Sequence, residues 1–378
     1  MKIAALIYKF FPYGGVQLDF LRILEECRKR GHEIVVYAHR WEGECPNYID
    51  LHLMPLKRGS NHGRMAEFGK KCKNQIAKQQ FDLVFSVNRL PGLDVYFAGD
   101  TCYVAKSHRE RPFFYRWLPR YNIYKKLEKS VFAPGTGCSI MLLLPSQQAD
   151  YEKYFHTEPE RFIVLPPGIP ADRRRPDDAA TVRARKREEL GAGKDDIVIL
   201  QIGSGFVTKG VDRSIRAVAS LPAAWRGRIR FLVVGSDKPA KFERLAKKLG
   251  IGDKVEFLGG RNDVPGLLLA ADMMLHPAVN DATATVLAEA IVAGLPVLCT
   301  AACGFSQLIK SARSGVVLSE PFKQEELNVK LGQMLEIPAQ LQAYQDNAIL
   351  YANDTDFFNR QQIAVDFMEQ VAGEKAAQ

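Results

Sequence analysis

Twice along this chain a short apolar, β-branched run gives way to a glycine turn and then to an amphipathic stretch, and the second series starts only after a polar, charged interval. That restart narrows the possible folds sharply, because parallel strands joined by crossover helices need both faces of their sheet covered, and each series supplies its own helices. In the first half, Lys2 to Tyr8 reads as a strand and about Val16 to Arg30 as a helix, with Leu18, Leu21, Ile23 and Leu24 at its apolar positions. Gly31 stops that helix and Glu33 to Ala38 is a second strand. Further strands are predicted at Leu51 to Met54, Leu83 to Val87, Val95 to Ala98, Ile140 to Leu144 and Phe162 to Leu165. The second half repeats the pattern with strands at Ile197 to Ile202, Ile229 to Val234, Val255 to Leu258, Asp272 to His276 and Pro296 to Thr300, and helices at Val211 to Leu221 and Lys238 to Leu249.

The expected fold class is therefore α/β: two Rossmann-like, doubly wound domains whose ligand-binding edges face across a cleft. A length of 378 residues suits two cores better than one. The polar interval from Ala171 to Asp196, with Arg173-Arg174-Arg175 read as a solvated linker, places the boundary near 170. The expected division is 1–170, 171–350, and a helix over 351–378 that packs back on the first domain.

Seven scattered cysteines give no disulfide framework, and Cys299 with Cys303 lacks the second pair or histidines that a zinc site needs. Met1-Lys2 leads straight into the first strand and no run of eighteen apolar residues occurs, so a cytoplasmic protein without a membrane span is expected. The net charge of +9 favours anionic partners. Much of it is local: between Lys106 and Ser130 eight basic residues face two acidic ones, interleaved with Phe113, Phe114, Tyr115, Trp117, Tyr121 and Tyr124. Cations beside aromatic rings suit an anionic membrane surface, which makes 103–132 a candidate for peripheral attachment. An acceptor sugar phosphate or an ordinary basic helix face would use the same residues, whereas nucleic acid is not expected as a partner. Pro112 and Pro119 predict two short pieces in place of one long helix.

Several positions point to chemistry. Gly14 and Gly15 follow a strand and precede a helix, so their backbone N–H groups can approach a phosphate or sugar hydroxyl, although the third glycine of a dinucleotide fingerprint is missing. Gly203-Ser204-Gly205 is followed by Lys209, which can reach a diphosphate and neutralise charge as it leaves. After the strand ending at His276, Asp281 and the N–H groups of Ala282, Thr283 and Ala284 form a cradle fit for a sugar, or simply a helix cap; Glu289, in the second turn of that helix, suits ribose hydroxyls. Asp100, after Tyr96-Phe97-Ala98-Gly99, can orient an acceptor hydroxyl or merely cap a turn. The histidines His32, His39, His108 and His156 show no metal spacing, and no metal is expected.

These motifs carry a resemblance along the whole chain. Tyr8-Lys9, Phe11-Pro12-Tyr13-Gly14-Gly15, Trp41-Glu42-Gly43, Asn61-His62-Gly63-Arg64, Pro91 to Ala98, Pro166-Pro167-Gly168-Ile169, Lys209 to Ser214 and Gly260 to Val264 resemble the retaining GT-B glycosyltransferases of family 4. Within that family they are most similar to the lipopolysaccharide-core transferases that add the first hexose to inner-core heptose. The resemblance implies a UDP-sugar donor (UDP-glucose, UDP-galactose or UDP-N-acetylgalactosamine), an inner-core heptose acceptor and a site on the cytoplasmic face of the inner membrane. It implies that Gly15 lies beneath the donor diphosphate, that Arg173 and Lys209 clamp it, that Glu289 holds the ribose, that Asp281 touches the donor sugar and that Asp100 faces the acceptor. Asp281 stands where the family usually has glutamate and is followed by Ala282-Thr283-Ala284-Thr285, so glucose, the usual donor, is in question, and galactose or an N-acetylhexosamine becomes a candidate. The reading from a different class is a non-catalytic, membrane-associated sugar-nucleotide sensor.

Overall fold

The computed structural model describes residues 1–12 and 14–377, so Tyr13 of the glycine turn lies outside the described residues. The chain forms two units, Met1–Gly168 with Asn359–Gln378, and Ile169–Phe358. In the first, the order is β1 (Lys2–Phe10), α1 (Gly15–Lys29), β2 (Glu33–Trp41), β3 (Ile49–Leu53), α2 (Asn61–Ile76), β4 (Leu83–Ser86), β5 (Val95–Ala98), α3 (Tyr103–Glu110), α4 (Pro119–Phe132), β6 (Ser139–Leu142), α5 (Pro145–Phe155) and β7 (Phe162–Val164). Its seven strands are arranged β3-β2-β1-β4-β5-β6-β7, all pairs parallel. β1 is buried along nearly its whole length, as a strand covered on both faces must be.

The second unit runs α6 (Ala179–Glu189), β8 (Ile197–Ile202), α7 (Val211–Ser220), α8 (Ala223–Arg226), β9 (Ile229–Val234), α9 (Ala240–Lys248), β10 (Val255–Gly259), α10 (Val264–Ala270), β11 (Met273–His276), α11 (Thr285–Ala293), β12 (Val297–Thr300), α12 (Ser306–Ser311), β13 (Gly315–Leu318), α13 (Gln324–Glu336) and α14 (Pro338–Asp354). The sheet order β10-β9-β8-β11-β12-β13, all parallel, reverses direction between β8 and β11. A crevice opens at the carboxyl ends of strands where such a reversal occurs, and that is where ligands gather in doubly wound sheets.

Three differences from the sequence reading have physical causes. The arginine run is not a solvated linker: Arg173 lies 3.7 Å from Glu289, Arg174 stacks 4.1 Å from the Phe358 ring, and Arg175 donates to the Ala293 carbonyl at the end of α11. The helix expected over 351–378 is interrupted, because the Asp356 side chain takes the Phe358 N–H (2.9 Å) and the Phe357 carbonyl accepts from Ile169 N (2.9 Å). Only from Arg360 does a new helix, α15 (Arg360–Ala376), begin, and it packs on α1. There Arg360, almost fully buried, donates to Asp19 (2.9 Å) and to the Pro166 carbonyl (2.8 Å), while Lys375 reaches Asp94 (2.8 Å). Burial raises the Asp19 carboxyl above its ordinary value even with Arg360 opposing it.

The third concerns the basic segment. α3 ends just before Pro112, a tight 3-10 turn spans Phe113–Trp117, and Pro119 opens α4 at its first helical position. Phe113, Phe114, Trp117 and Leu118 are 67, 52, 73 and 44% exposed, so the turn carries an apolar patch. Yet Glu128, one of the two acids, is completely buried: it accepts from Tyr103 N (2.6 Å) and Val104 N (2.9 Å) at the start of α3 and pairs with Arg89 (3.2 Å). Burial raises its carboxyl, and Arg89 and the two N–H groups only partly offset that. Among the described residues no helix is long and apolar enough to cross a membrane.

Candidate functional site

The carboxyl edge of the second sheet gathers polar groups on loops that its backbone holds tightly. Gly210 is left-handed (φ 70°), and a Cβ there would sit 2.1 Å from the Pro277 carbonyl, so only glycine lets the loop after β8 meet the loop after β11. Val279 N bonds to Thr208 O (2.8 Å), Gln201 Nε2 to Lys209 O (2.7 Å) and Arg213 to Pro277 O (3.2 Å). From the other side Thr300 Oγ1 donates to Ala278 O (2.7 Å), and Gly304 N to Asp281 O (2.9 Å).

Between these loops lies a cavity of about 380 Å³ lined by Arg173, Gly203, Lys209, Asp281, Thr283, Ala284, Thr285 and Glu289, among others. Lys209 Nζ is 2.5 Å from Asp281 Oδ2, and the same oxygen is 3.0 Å from His276 Nε2. Burial pushes the Asp281 carboxyl up, but the His276 hydrogen bond and the Lys209 ammonium outweigh it, and the net displacement is below the ordinary carboxylate value. Asp281 Oδ1 also accepts from Ala284 N (3.1 Å). Ala284 itself is left-handed (φ 55°), an uncommon state for a residue with a Cβ, and it turns the chain into α11 with no side chain capping that helix. The start of α11 therefore offers uncapped N–H groups and the positive end of a helix dipole to the cavity. Arg173 Nε and Nη1 are buried and hydrogen-bonded to nothing among the described residues.

Of the residues singled out in the sequence, Arg173, Gly203, Lys209, Asp281, Thr283, Ala284 and Glu289 are brought together here, with Ala282 in the same loop. The turn after β8 is less open than its glycines suggest, since Asp237 accepts from both Gly205 N and Phe206 N (3.0 Å to the latter). Gly14, Gly15 and Asp100 belong to the carboxyl edge of the first sheet. Space beside Gly15 is open, whereas a Cβ on Gly99 would meet Val16 at 2.5 Å, so the Gly99-Asp100 turn lies against the start of α1. The Asp100 carbonyl is held by Arg89 (3.2 Å) and Tyr151 (3.3 Å), and its side chain is exposed. His276 was not recognised from sequence, although a histidine closing an apolar strand five residues before an acid was the available signal. Among the described residues no group of three or more His, Cys, Asp or Glu could hold a metal ion.

Residues 182–350 match the family of glycosyl transferases group 1, and residues 13–173 match Glycosyltransferase Family 4. The lipopolysaccharide glucosyltransferase WaaG of Escherichia coli (strain K12) is 45% identical over 97% of this chain and 98% of its own length. This chain belongs to the WaaG family of glycosyltransferases. A crystal structure of WaaG, described as a glycosyltransferase involved in lipopolysaccharide biosynthesis, aligns with a TM-score of 0.86 at 44% identity, covering 97% of this chain and 99% of that one. The fold is thus GT-B, and the WaaG-family chain is an enzyme. The same architecture recurs at 18% identity in HepE of Anabaena, solved with UDP and glucose (TM-score 0.71, all of both chains), a likeness of fold.

Proposed function

We propose that the protein transfers a hexose or N-acetylhexosamine from a UDP-sugar to inner-core heptose of lipopolysaccharide, with retention of anomeric configuration. The observation that carries this reading is the cavity at the strand-order reversal of the second sheet, where two cations, two carboxylates and an uncapped helix start converge. In it, Arg173, Lys209 and the N–H groups opening α11 bind the diphosphate, Glu289 accepts from the ribose, and Ala282 to Ala284 supply backbone contacts. Gly203 leaves room for the Lys209 side chain to cross the turn, since a Cβ there would meet Lys209 Cε at 3.2 Å.

Diphosphate binding draws Lys209 from carboxylate to phosphate. Asp281, still oriented by His276 and Ala284 N, then has an oxygen free to accept a hydroxyl of the donor sugar. As the bond from the anomeric carbon to the phosphate oxygen breaks, the cations stabilise the departing charge, and that phosphate takes the proton from the acceptor hydroxyl attacking on the same face. On the first sheet, Gly15 leaves room for the substrates, the space beside Gly14 being filled by Gln17 and Phe11, and Asp100 orients the acceptor. The exposed turn at 113–118 and the surrounding cations of 103–132 seat the enzyme peripherally on the anionic cytoplasmic face of the inner membrane.

UDP release measured with UDP-glucose, UDP-galactose and UDP-N-acetylgalactosamine, with and without core oligosaccharide, tests the reaction and its donor. Acceptor-dependent release is expected, with a donor other than glucose preferred because the shorter Asp281 changes the sugar wall. Exclusive use of UDP-glucose overturns the donor assignment, and no release with any donor overturns the reaction. Sedimentation with anionic liposomes should show binding that collapses when Arg116, Arg120, Lys125 and Lys126 are neutralised; binding that survives this removes the segment's role.

A further inference from the structure

The second unit holds another cavity, of about 400 Å³, on the far side of its sheet from Lys209 and Asp281. Asp272 and Pro296 line it, each next to the first residue of a strand (β11 and β12), so it lies at the amino ends of the strands. Leu268 and Leu269 of α10, Leu295, and Leu341 of α14 give it apolar walls, and Gln345 of α14 brings an amide. Its volume falls within the range of small-molecule sites, about 300–1,000 Å³, which are walled mostly by apolar side chains with a few polar groups to fix orientation.

Three charged side chains line the cavity: Arg175, Arg183 and Asp272. Two of them are fully engaged within the protein. Asp272 accepts from Arg183 (2.5 Å), from Arg187 (3.1 Å) and from Val198 N (2.7 Å), while Arg183 also donates to the Leu269, Ala270 and Ala271 carbonyls at 2.8, 2.9 and 2.6 Å. Arg175 is different. Its Nη1 donates to the Ala293 carbonyl, but Nε and Nη2 have no partner, and no carboxylate pairs with it, among the described residues. Burial first, and then the neighbouring Arg183, lower it from the ordinary guanidinium value, as expected of a cation drawn out of water with no counter-charge. Closing the end of α11 occupies one nitrogen and leaves the other edge of the guanidinium unused. On that edge Nε–H and Nη2–H lie side by side, the arrangement that takes both oxygens of a carboxylate, and one negative charge balances the one that is unpaired.

We infer that this cavity is a second ligand site that takes a small organic monocarboxylate, its charged end on Arg175 and its apolar body between Leu268, Leu295 and Leu341. The site is separate from the transfer reaction and does not depend on it.

Calorimetric titration with benzoate and with its uncharged counterpart benzyl alcohol, on wild type, Arg175→Met and Ala180→Trp, tests this. Wild type should bind benzoate about 10 to 100 times more tightly than benzyl alcohol, the range for hydrogen bonds to a charged group. Arg175→Met should bring that ratio to about one. Ala180 lines the cavity from the exposed side of α6, so Ala180→Trp should fill it and weaken both probes while Arg175 stays in place and the melting temperature holds. A ratio near one in wild type, a ratio that survives Arg175→Met, or benzoate binding untouched in a folded Ala180→Trp protein each overturns the site. Phenyl phosphate that binds more tightly than benzoate overturns the carboxylate assignment. Displacement of benzoate by UDP overturns the placement at this edge of the sheet.

Discussion

The two sheets end in contrasting ways. At the carboxyl edge of the second, each cation already has a carboxylate: Lys209 lies against Asp281 and Arg173 beside Glu289. At the edge of the first, the guanidinium of Arg64 meets only the His39 ring, which accepts from it and is therefore neutral. A site of the first kind has to exchange one partner for another when an anion arrives, which moves charge as part of binding. A cation of the second kind has no ion pair to give up. The contrast teaches that the same sheet edge can hold a cation against a carboxylate, as at Lys209, or against a neutral ring, as at Arg64.

The largest effect should come from removing the shifting cation. Lys209→Ala is expected to lower turnover by about 100- to 1000-fold, the usual loss for one donor to a developing anion, with little change in acceptor affinity. Steady-state UDP release with a direct acceptor-binding measurement checks this, and equal losses in both would erase the distinction between the edges. Next, Asp281→Asn leaves Lys209 without its carboxylate and should cost about 1–3 kcal/mol at neutral pH. Because the folded-state value of Asp281 is displaced downward, its contribution is full above the ordinary carboxylate value and is lost as pH falls through the folded value. The Asn variant should therefore lose less stability on acidification than wild type in urea titrations; parallel losses would show that the ion pair contributes nothing. Smallest, Ala284→Gly should stabilise by about 0.5–1 kcal/mol, since glycine adopts the left-handed turn freely and loses only part of that gain to its greater unfolded freedom. A lower melting temperature would mean that the methyl group packs usefully.

Much of this was legible in the residues. Apolar runs such as Ile197 to Ile202 and Ile229 to Val234, each broken by one polar residue, are strands over their stated lengths, because a strand buried on both faces reads as a nearly continuous apolar run. β13 and α12 were not assigned, being only a few residues long, and α2 shows just a thin stripe of Met65, Phe68, Cys72 and Ile76 among polar neighbours. Lys209, Asp281 and Glu289 stood out because glycines and strand ends mark them. Their helper His276 did not, since its partner is set by how the loop folds back. Charge counting also misjudged Glu128, a formal minus in a basic stretch that proves to be a core residue ordering the start of α3. Pairings across dozens of residues, such as Arg64 with His39 and Arg89 with Glu128, leave no periodic trace.

The helix from Arg360 to Ala376 has a consequence for how the molecule is made. It lies among residues synthesised much earlier, with Arg360 buried against Asp19 and the carbonyls of Pro166 and Pro167. On the ribosome the leading half must wait, with an acid and two carbonyls uncovered, while the trailing half is translated and folds. The first unit is completed only once this later stretch has left the exit tunnel, so a product terminated before Arg360 leaves the earlier unit unfinished.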